Sequence, residues 1–591
     1  MLEPNRKSQK VHYQSTPGGA SNRTVERKPR RPQTSETDRQ KDAYLQVGQY
    51  LLDRLSAPVF RSHATIGLVD RDRIQFYHAN HSVILVSSAI NLSARDRTGG
   101  LDKFIAILIA FNRLSLRDYG ILHDLHNGNL RDGNPHDDKL LQDNGNPLTS
   151  KLGPGDMRML GGNRLEFGGN KKTGPFTLTY GDLISHEPSL AGRATAVLDA
   201  KCPKWNDVDL VVKISWPTSD RAPESDFLEK AIEVAESTAG GQWAINHLPR
   251  VVFAQDVVFN SESTLGKVAS LFDDAEFVDE EYEYERRTLR IIIQERLYPL
   301  KTLTDVKDIA QTLVDVACGT HFPLFSSQWY THASLVHRWL YDHVGILHGD
   351  LSLNNIMCRI VKVNRAGVTE KKVYGVLTDY DLSLWTASLT PDYAKTLQQR
   401  TGTPPFMAHE LLNRIDTLHL YRHDVESLFY IILILATHYE IQAPKKGENG
   451  GVRVRQGLKK LPYQEWFDEP SYKALAAFKN HFLWGFDDLD LSPAFEDFGS
   501  WLNALHLSFS QGIYSKLDYQ LEFVEYPRRR RRARSSGNGV VPTFDDETLG
   551  GHVCYSTLID PVRNLKGKLE GLVIRYDPPP PAPTGTAQAG A

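Results

Sequence analysis

In the segment Gly345-Ile-Leu-His-Gly-Asp-Leu-Ser-Leu-Asn-Asn-Ile-Met357, an aspartate, Asp350, stands two residues after His348 and five before Asn355, between apolar flanks. That spacing suits phosphoryl transfer. The aspartate can orient an attacking hydroxyl and accept its proton, and the asparagine, one loop away, can ligate a Mg²⁺ that neutralises phosphates. Downstream, Lys372-Val-Tyr-Gly-Val-Leu-Thr378 alternates as a strand and delivers Asp379-Tyr380-Asp381. Asp379 is the candidate second metal ligand; the plainer reading is a turn residue closing a hairpin. Upstream, Leu210-Val-Val-Lys-Ile-Ser215 sets one lysine in an otherwise apolar strand. A buried, unpaired ammonium is costly, so Lys213 needs anions, unless it lies at an exposed strand edge. The functional reading gives it nucleotide phosphates and a helix glutamate. Over Pro223–Ser237, Phe227, Leu228, Ala231, Ile232 and Ala235 define one face at about 100° per residue. Glu224 projects onto the centre of that stripe, whereas Glu229, Glu233 and Glu236 fall away from it. Glu224 is the expected partner of Lys213, with Glu229 the second choice.

The elements that must position these residues follow from the patterning. Residues 1–42 are polar, basic and Pro-containing, with almost no apolar period, and read as a disordered tail. Residues 43–122 read as a small packed subdomain. A helix begins near Tyr44, Ala64–Asp70 and Arg73–Tyr77 alternate like a hairpin, Val83–Val86 is a further strand, and Leu101–Leu114 has helical period. Residues 123–175, dominated by Gly, Asn and Asp, predict a long surface loop. Strands dominate 176–300 and helices 301–526, with Asp273–Glu285 a solvated insertion between strands. A polybasic linker (527–540), a C-terminal extension (541–576) and a Pro-rich disordered tail (577–591) complete the chain. Gln294–Tyr298, after the apolar strand Leu289–Ile293, is the expected hinge, with Glu295 and Leu297 as candidate adenine contacts through the backbone.

Composition narrows the class. The 591 residues are 40% hydrophobic and 24% charged with a net charge of −3, ordinary for a globular protein and against wholesale nucleic-acid binding. Four dispersed cysteines (Cys202, Cys318, Cys358, Cys554) have no metal-ligand spacing, which predicts free thiols in a reducing compartment. No apolar signal segment is visible, and the most apolar run, Leu428–Ala436, is roughly half a membrane span and reads as a buried helix. The expectation is an intracellular, cytoplasmic or nuclear protein without a membrane partner. Arg528–Arg534 reads either as a nuclear-import signal, and so an import-receptor contact, or as a basic linker.

Thr401-Gly-Thr-Pro-Pro-Phe-Met-Ala-His-Glu410 and His423-Asp-Val-Glu-Ser-Leu-Phe429 bring a close resemblance to protein kinases. The resemblance implies a bilobal α+β fold with a β-rich N-lobe and a helical C-lobe. It makes Thr403 the substrate-loop threonine, Glu410 the anchoring glutamate, and Asp424 a cap on catalytic-loop N–H groups. A narrower pattern resembles the fungal-type protein kinase family: Lys213-Ile-Ser-Trp216, the loop Gly192-Arg-Ala-Thr195, Leu347-His-Gly-Asp-Leu-Ser-Leu-Asn-Asn355 and Leu549-Gly-Gly-His552. It spans about 44 to 560. It implies an ATP- and Mg²⁺-dependent enzyme acting on a protein substrate, Ser/Thr in type, with Gly192, Arg193 and Thr195 over the phosphates.

Several residues depart from that pattern. Of three phosphate-loop glycines only Gly192 remains, with Leu190 and Thr195 in the other places. The metal motif is Asp-Tyr-Asp, Ser352 replaces a phosphate-contacting lysine, and Gly349 replaces the arginine that a phosphorylated activation loop would engage. Slow turnover without loop-phosphorylation gating is therefore expected, with Ser383, Thr386, Ser388 and Thr390 not acting as switches. Two rivals remain open. His-Gly-Asp-Leu also suits a small-molecule phosphotransferase of the aminoglycoside or choline kinase sort, and the same fold could serve as a pseudokinase scaffold.

Overall fold

The computed structural model describes residues 36–56, 61–93, 99–115, 118–122, 124–126, 156–160, 163–257, 259–261, 263–273, 284–317, 336–365, 368–389, 402–413, 417–444, 450–485, 488–525, 543–573 and 575. The chain divides into two compact units, 1–50 and 51–591. The helix Glu36–Leu55 starts within the stretch expected to be a tail. Within the second unit, four strands make a small antiparallel sheet: β1 (His63–Asp70), β2 (Arg73–Asn80), β3 (Ile84–Val86) and β4 (Ile90–Asn91). The β1–β2 register closes at Asp70 opposite Arg73, so Arg71-Asp72 is the turn, and Arg71 takes the left-handed φ of 56°.

An eight-stranded antiparallel sheet carries the first half of the site. Its strands are β5 (Asp124–His126), β6 (Asp156–Leu160), β7 (Arg164–Phe167), β8 (Phe176–His186), β9 (Ala196–Lys201), β10 (Leu210–Ser215), β11 (Val251–Val257) and β12 (Leu289–Glu295). The spatial order is β11-β12-β10-β9-β8-β7-β6-β5. The expectation of a surface loop over 123–175 is thus corrected at its described strands, β5, β6 and β7, while 127–155 lie outside the described residues. Met157, Leu165 and Phe167 are buried in the same core as Phe176, Leu198 and Phe253. Two short strands that bury alternate residues need only a few apolar side chains, and the Gly/Asn/Asp-rich surroundings swamp them in a composition average. β10 lies between β9 and β12, and its Val211, Val212 and Ile214 suit a strand paired on both edges.

A second core holds the helices. At its centre, every residue of the helix Tyr421–His438 is buried; the apolar run inside it cannot be a membrane span at that length, and no described helix is long and apolar enough to cross a bilayer. The hairpin Ile356–Arg365 with Val368–Leu377 pairs in unbroken register and packs on the helix Val306–Ala317. Residues 543–573 return to this core through Leu549, Val553, Leu558 and Leu569. The described cysteines Cys202, Cys358 and Cys554 are free thiols. The polybasic linker, the Pro-rich tail, most of Asp273–Glu285 and Thr390 lie outside the described residues.

Candidate active site

Backbone register brings the candidate residues together. Ile356 faces Leu377 at the end of the hairpin, so the residues just beyond, Asn355 and Thr378, are neighbours. The Thr378 N–H and hydroxyl both donate to the Asn355 carbonyl, at 2.9 and 3.0 Å. The short pair Ile346–Leu347 with Leu384–Trp385 does the same on the other flank. There the Ser383 hydroxyl donates to the His348 carbonyl at 3.1 Å. His348, Asp350, Asn355 and Asp379 are thereby fixed by two ladders that share one loop.

Within that loop, polar groups satisfy one another. His348 Nε2 bonds the Thr378 carbonyl at 3.0 Å, which makes Nε2 the protonated nitrogen, while Nδ1 faces the Asp350 N–H at 3.4 Å. Burial pushes the imidazole down to about 4, so the ring is neutral and works as a spacer. The ring of Tyr380 packs edge-on against it. Gly349 has a φ of 78° and donates its N–H to Asp424 Oδ2 at 3.1 Å. A Cβ there would stand 3.0 Å from the Leu382 carbonyl oxygen, so glycine suits both the backbone and the space. Asp424 also accepts from His337 at 2.9 Å and His419 at 2.8 Å. Burial would raise its carboxyl, but these imidazoles outweigh burial and hold it far below the usual carboxylate range.

Asp350 is buried and accepts the Thr403 hydroxyl at 2.8 Å. Burial, and then the charge of Asp379, raise its pKa despite that bond. The Asn355 amide nitrogen donates to the Asp350 carbonyl at 2.8 Å, leaving its side-chain oxygen as the acceptor atom for a cation.

Lys213 comes from β10 opposite Val197 and Ile292, and only 7% of it is exposed. Its ammonium lies 2.7 Å from Glu224 Oε2, 2.7 Å from Asp379 Oδ1 and 3.0 Å from Asp381 Oδ2. Burial would lower its pKa, but Asp379, Asp381 and Glu224 outweigh that and hold it well above the ordinary lysine value. Glu224 opens the helix Glu224–Ser237, which buries Phe227, Leu228, Ala231 and Ala235. Its second oxygen faces the Tyr380 N–H at 3.3 Å. Asp379 takes the left-handed φ of 66°, unusual for a residue with a Cβ, and its side chain is the most exposed of the three carboxylates at 30%.

Ligand oxygens of Glu224, Asp379 and Asp381 lie within 4.8 Å of one another. Lys213 touches all three, so its ammonium offsets one of their three charges. Asp381, the last residue of Asp-Tyr-Asp, sits 3.6 Å from Arg290 Nη1 and 3.9 Å from Arg193 Nη1 as well. Arg290 is itself clamped by both oxygens of Asp256 at 2.9 Å. Asp379 and Asn355 are the residues that could offer oxygens to a divalent cation. Both offer hard oxygen donors, and Asp379 alone of the carboxylates keeps exposed surface.

The remaining expected residues are placed as follows. Gly192 and Arg193 lie in the loop between β8 and β9, and Thr195 borders β9. Glu295 ends β12 with its carboxylate on Arg359 at 3.0 and 3.1 Å, so its side chain is committed within the protein. The N–H groups of Glu295 and Arg296 donate to the Arg250 and Asp209 carbonyls, and buried Leu297 follows them. Glu410 meets Arg422 at 2.7 Å and Lys516 at 3.0 Å, and Asp546 of the returning C-terminal segment joins both cations. Lys479, fully buried, donates to the Pro404 and Met407 carbonyls and lies over the Tyr430 ring at 4.4 Å. His337, His419, Arg290, Asp546 and Lys479 were not singled out from the sequence. No local signal marks Lys479, because the helix Tyr472–Trp484 also carries the exposed Lys473 and a lysine on a helix is usually solvated.

A family model described as fungal protein kinase matches residues 30–436, more than two thirds of the chain. No curated protein matches the sequence.

Proposed function

The chain belongs to the fungal protein kinase family, and from that premise we propose that it is a bilobal enzyme transferring the γ-phosphoryl of ATP to Ser/Thr hydroxyls of a protein substrate. The observation that carries this reading is Lys213, whose ammonium bridges Glu224 and Asp379 at 2.7 Å each beside Asp350 and Asn355. The sheet core and the helical core are the two lobes. The loop Gly192–Thr195 covers the phosphates, Lys213 steadied by Glu224 positions them, and Leu297 offers the next backbone N–H in line for adenine. Mg²⁺, bound by Asp379 and Asn355, would neutralise phosphate charge. Asp350 orients the acceptor hydroxyl and takes its proton; its raised pKa makes it a better base than an ordinary aspartate. His348 and Asp424 hold the loop's shape without touching substrate.

Protein rather than small-molecule acceptors are favoured by Thr403. Its hydroxyl binds Asp350 directly, and the segment that follows it is held by Lys479 on the Pro404 carbonyl and by Glu410 on Arg422, a docking support that a metabolite would not require. Transfer of radiolabelled γ-phosphate with Mg²⁺, compared between wild type and Asp350→Ala, tests the reading. Labelling of protein that disappears in the variant is expected. Labelling only of small hydroxylated metabolites, or nucleotide binding without transfer, would overturn it.

A further inference from the structure

Residues 348–357 carry no lysine or arginine, and the loop between β8 and β9 brings an arginine to the site. Ser352 is buried and uncharged, two residues from Asp350. The loop between β8 and β9 presents Arg193. Its backbone is fixed on both sides. The Gly192 N–H donates to the His81 carbonyl at 2.9 Å, and the Arg193 carbonyl accepts the Trp216 N–H at 2.6 Å. The Trp216 ring in turn stacks on the His81 ring at 4.6 Å. Gly192 has a φ of 149°, which glycine takes readily.

The guanidinium reaches 3.9 Å from Asp381 and keeps 32% of its side chain exposed. It is therefore tethered loosely, on the solvent-facing side of the Lys213 cluster. Burial would lower its pKa, but Asp379, Asp381, Asp350 and Glu187 all act on it and raise it instead. Both residues expected at the chemistry, Asp350 and Asp379, thus feel this one cation. Lys213 is saturated by three carboxylates and Arg290 is clamped on Asp256. Among these cations Arg193 is the one with only a long contact to give up.

We propose that Arg193 binds the γ-phosphoryl oxygens of ATP and supplies the transition-state charge that Ser352 cannot. This rests on the kinase reading above and assigns a second task within it. In the step, the acceptor O–H gives its proton to Asp350 while its oxygen bonds to the γ-phosphorus. The bond from that phosphorus to the β,γ-bridging oxygen breaks, and the electron pair leaves with ADP. Arg193 gains and loses no proton. Its planar fork of N–H donors matches two phosphoryl oxygens, which a lysine ammonium does not.

The full-length chain with Arg193→Ala, Arg193→Lys, Ser352→Lys and the double variant Arg193→Ala/Ser352→Lys tests this. Calorimetric binding of a non-hydrolysable ATP analogue with Mg²⁺ is expected to weaken about tenfold in Arg193→Ala, whereas ADP binding changes less than about threefold. Single-turnover transfer is expected to fall about 10²–10³-fold, and Ser352→Lys in the double variant to restore at least about tenfold of it. Arg193→Lys should fall between wild type and Arg193→Ala in both measurements. Equal weakening for ATP analogue and ADP, or a double variant no faster than Arg193→Ala, would overturn the assignment. If the analogue-over-ADP preference disappears with Arg193 but wild type transfers nothing, the assignment stands and the catalytic reading fails.

Discussion

Replacing Asp381 by asparagine isolates the charge that most distinguishes this metal motif. The side chain is 1% exposed, and its oxygens lie 3.0, 3.6 and 3.9 Å from Lys213, Arg290 and Arg193. At an effective dielectric of about 20 these attractions are roughly 4–6 kcal/mol each. Glu224 and Asp379 oppose them: ligand oxygens within 4.8 Å imply at least about 3 kcal/mol of repulsion apiece, cancelling roughly half the gain. Desolvating the carboxylate costs several kcal/mol more. Asparagine keeps the shape and removes only the charge. Lys213 still has two carboxylates and Arg290 still has Asp256, so no cation is stranded. Asp381→Asn should therefore cost about 1–3 kcal/mol, less than the roughly 3–5 kcal/mol for breaking an isolated buried pair. Urea unfolding followed by tryptophan fluorescence measures it, since Trp216 is buried on the strand end that carries Lys213. A variant as stable as wild type, or more stable, would refute the balance. So would a loss above about 5 kcal/mol, which would mean that Asp381 alone neutralises Arg290 or Lys213.

The His409–Glu426 pair gives a pH signature. The ring and the fully buried carboxylate are 2.9 Å apart, and Tyr430 also donates to Glu426. Burial would lower His409, but Glu426 outweighs it and raises the imidazole above its ordinary 6.5. Burial would raise Glu426, but His409 outweighs that and brings it down to about 2 from 4.5. The stability from the raised histidine is complete below pH 6.5 and is lost as pH climbs through its folded value. That from the lowered glutamate is complete above pH 4.5 and is lost toward pH 2. The stability advantage of wild type over His409→Gln should thus peak between pH 4.5 and 6.5, at about 1–3 kcal/mol, and shrink on either side. A flat difference in urea titrations across pH 4–8 would refute it. For loop phosphorylation, Ser388→Glu, on an exposed residue, should leave turnover within about twofold, because no arginine stands at Gly349 to read it. Ser383→Glu should lower turnover at least about tenfold, since it buries a charge against the His348 carbonyl. A strong rise in either variant would show that the loop is a switch after all.

How far the sequence could be read depended on whether the relevant contact was local. Glu224 could be chosen from four glutamates because helical period ties it to Phe227, Leu228 and Ala231 within one or two turns. The structure sets its carboxylate 2.7 Å from Lys213. The catalytic loop was legible for a related reason: the spacing from Asp350 to Asn355, and then through one hairpin to Asp379, is itself the geometry once the hairpin closes in register. Strands β6 and β7 were missed because a window average over Gly, Asn and Asp hides the alternation of a four- or five-residue strand. Asp381 was harder still. Read in sequence, a second acid beside a metal ligand is only a repulsion, and the sign of its effect depends on what faces it. Arg290 lies some ninety residues upstream on β12 and Arg193 farther still, in a loop before β9. No local period links either to Asp381. Only the antiparallel order β12-β10-β9, which lays those two arginines on either side of Lys213, turns a liability in the Asp-Tyr-Asp motif into a carboxylate faced by three cations. A motif that departs from its family pattern can therefore be read from sequence as different, but whether the difference costs or stabilises is decided by tertiary neighbours.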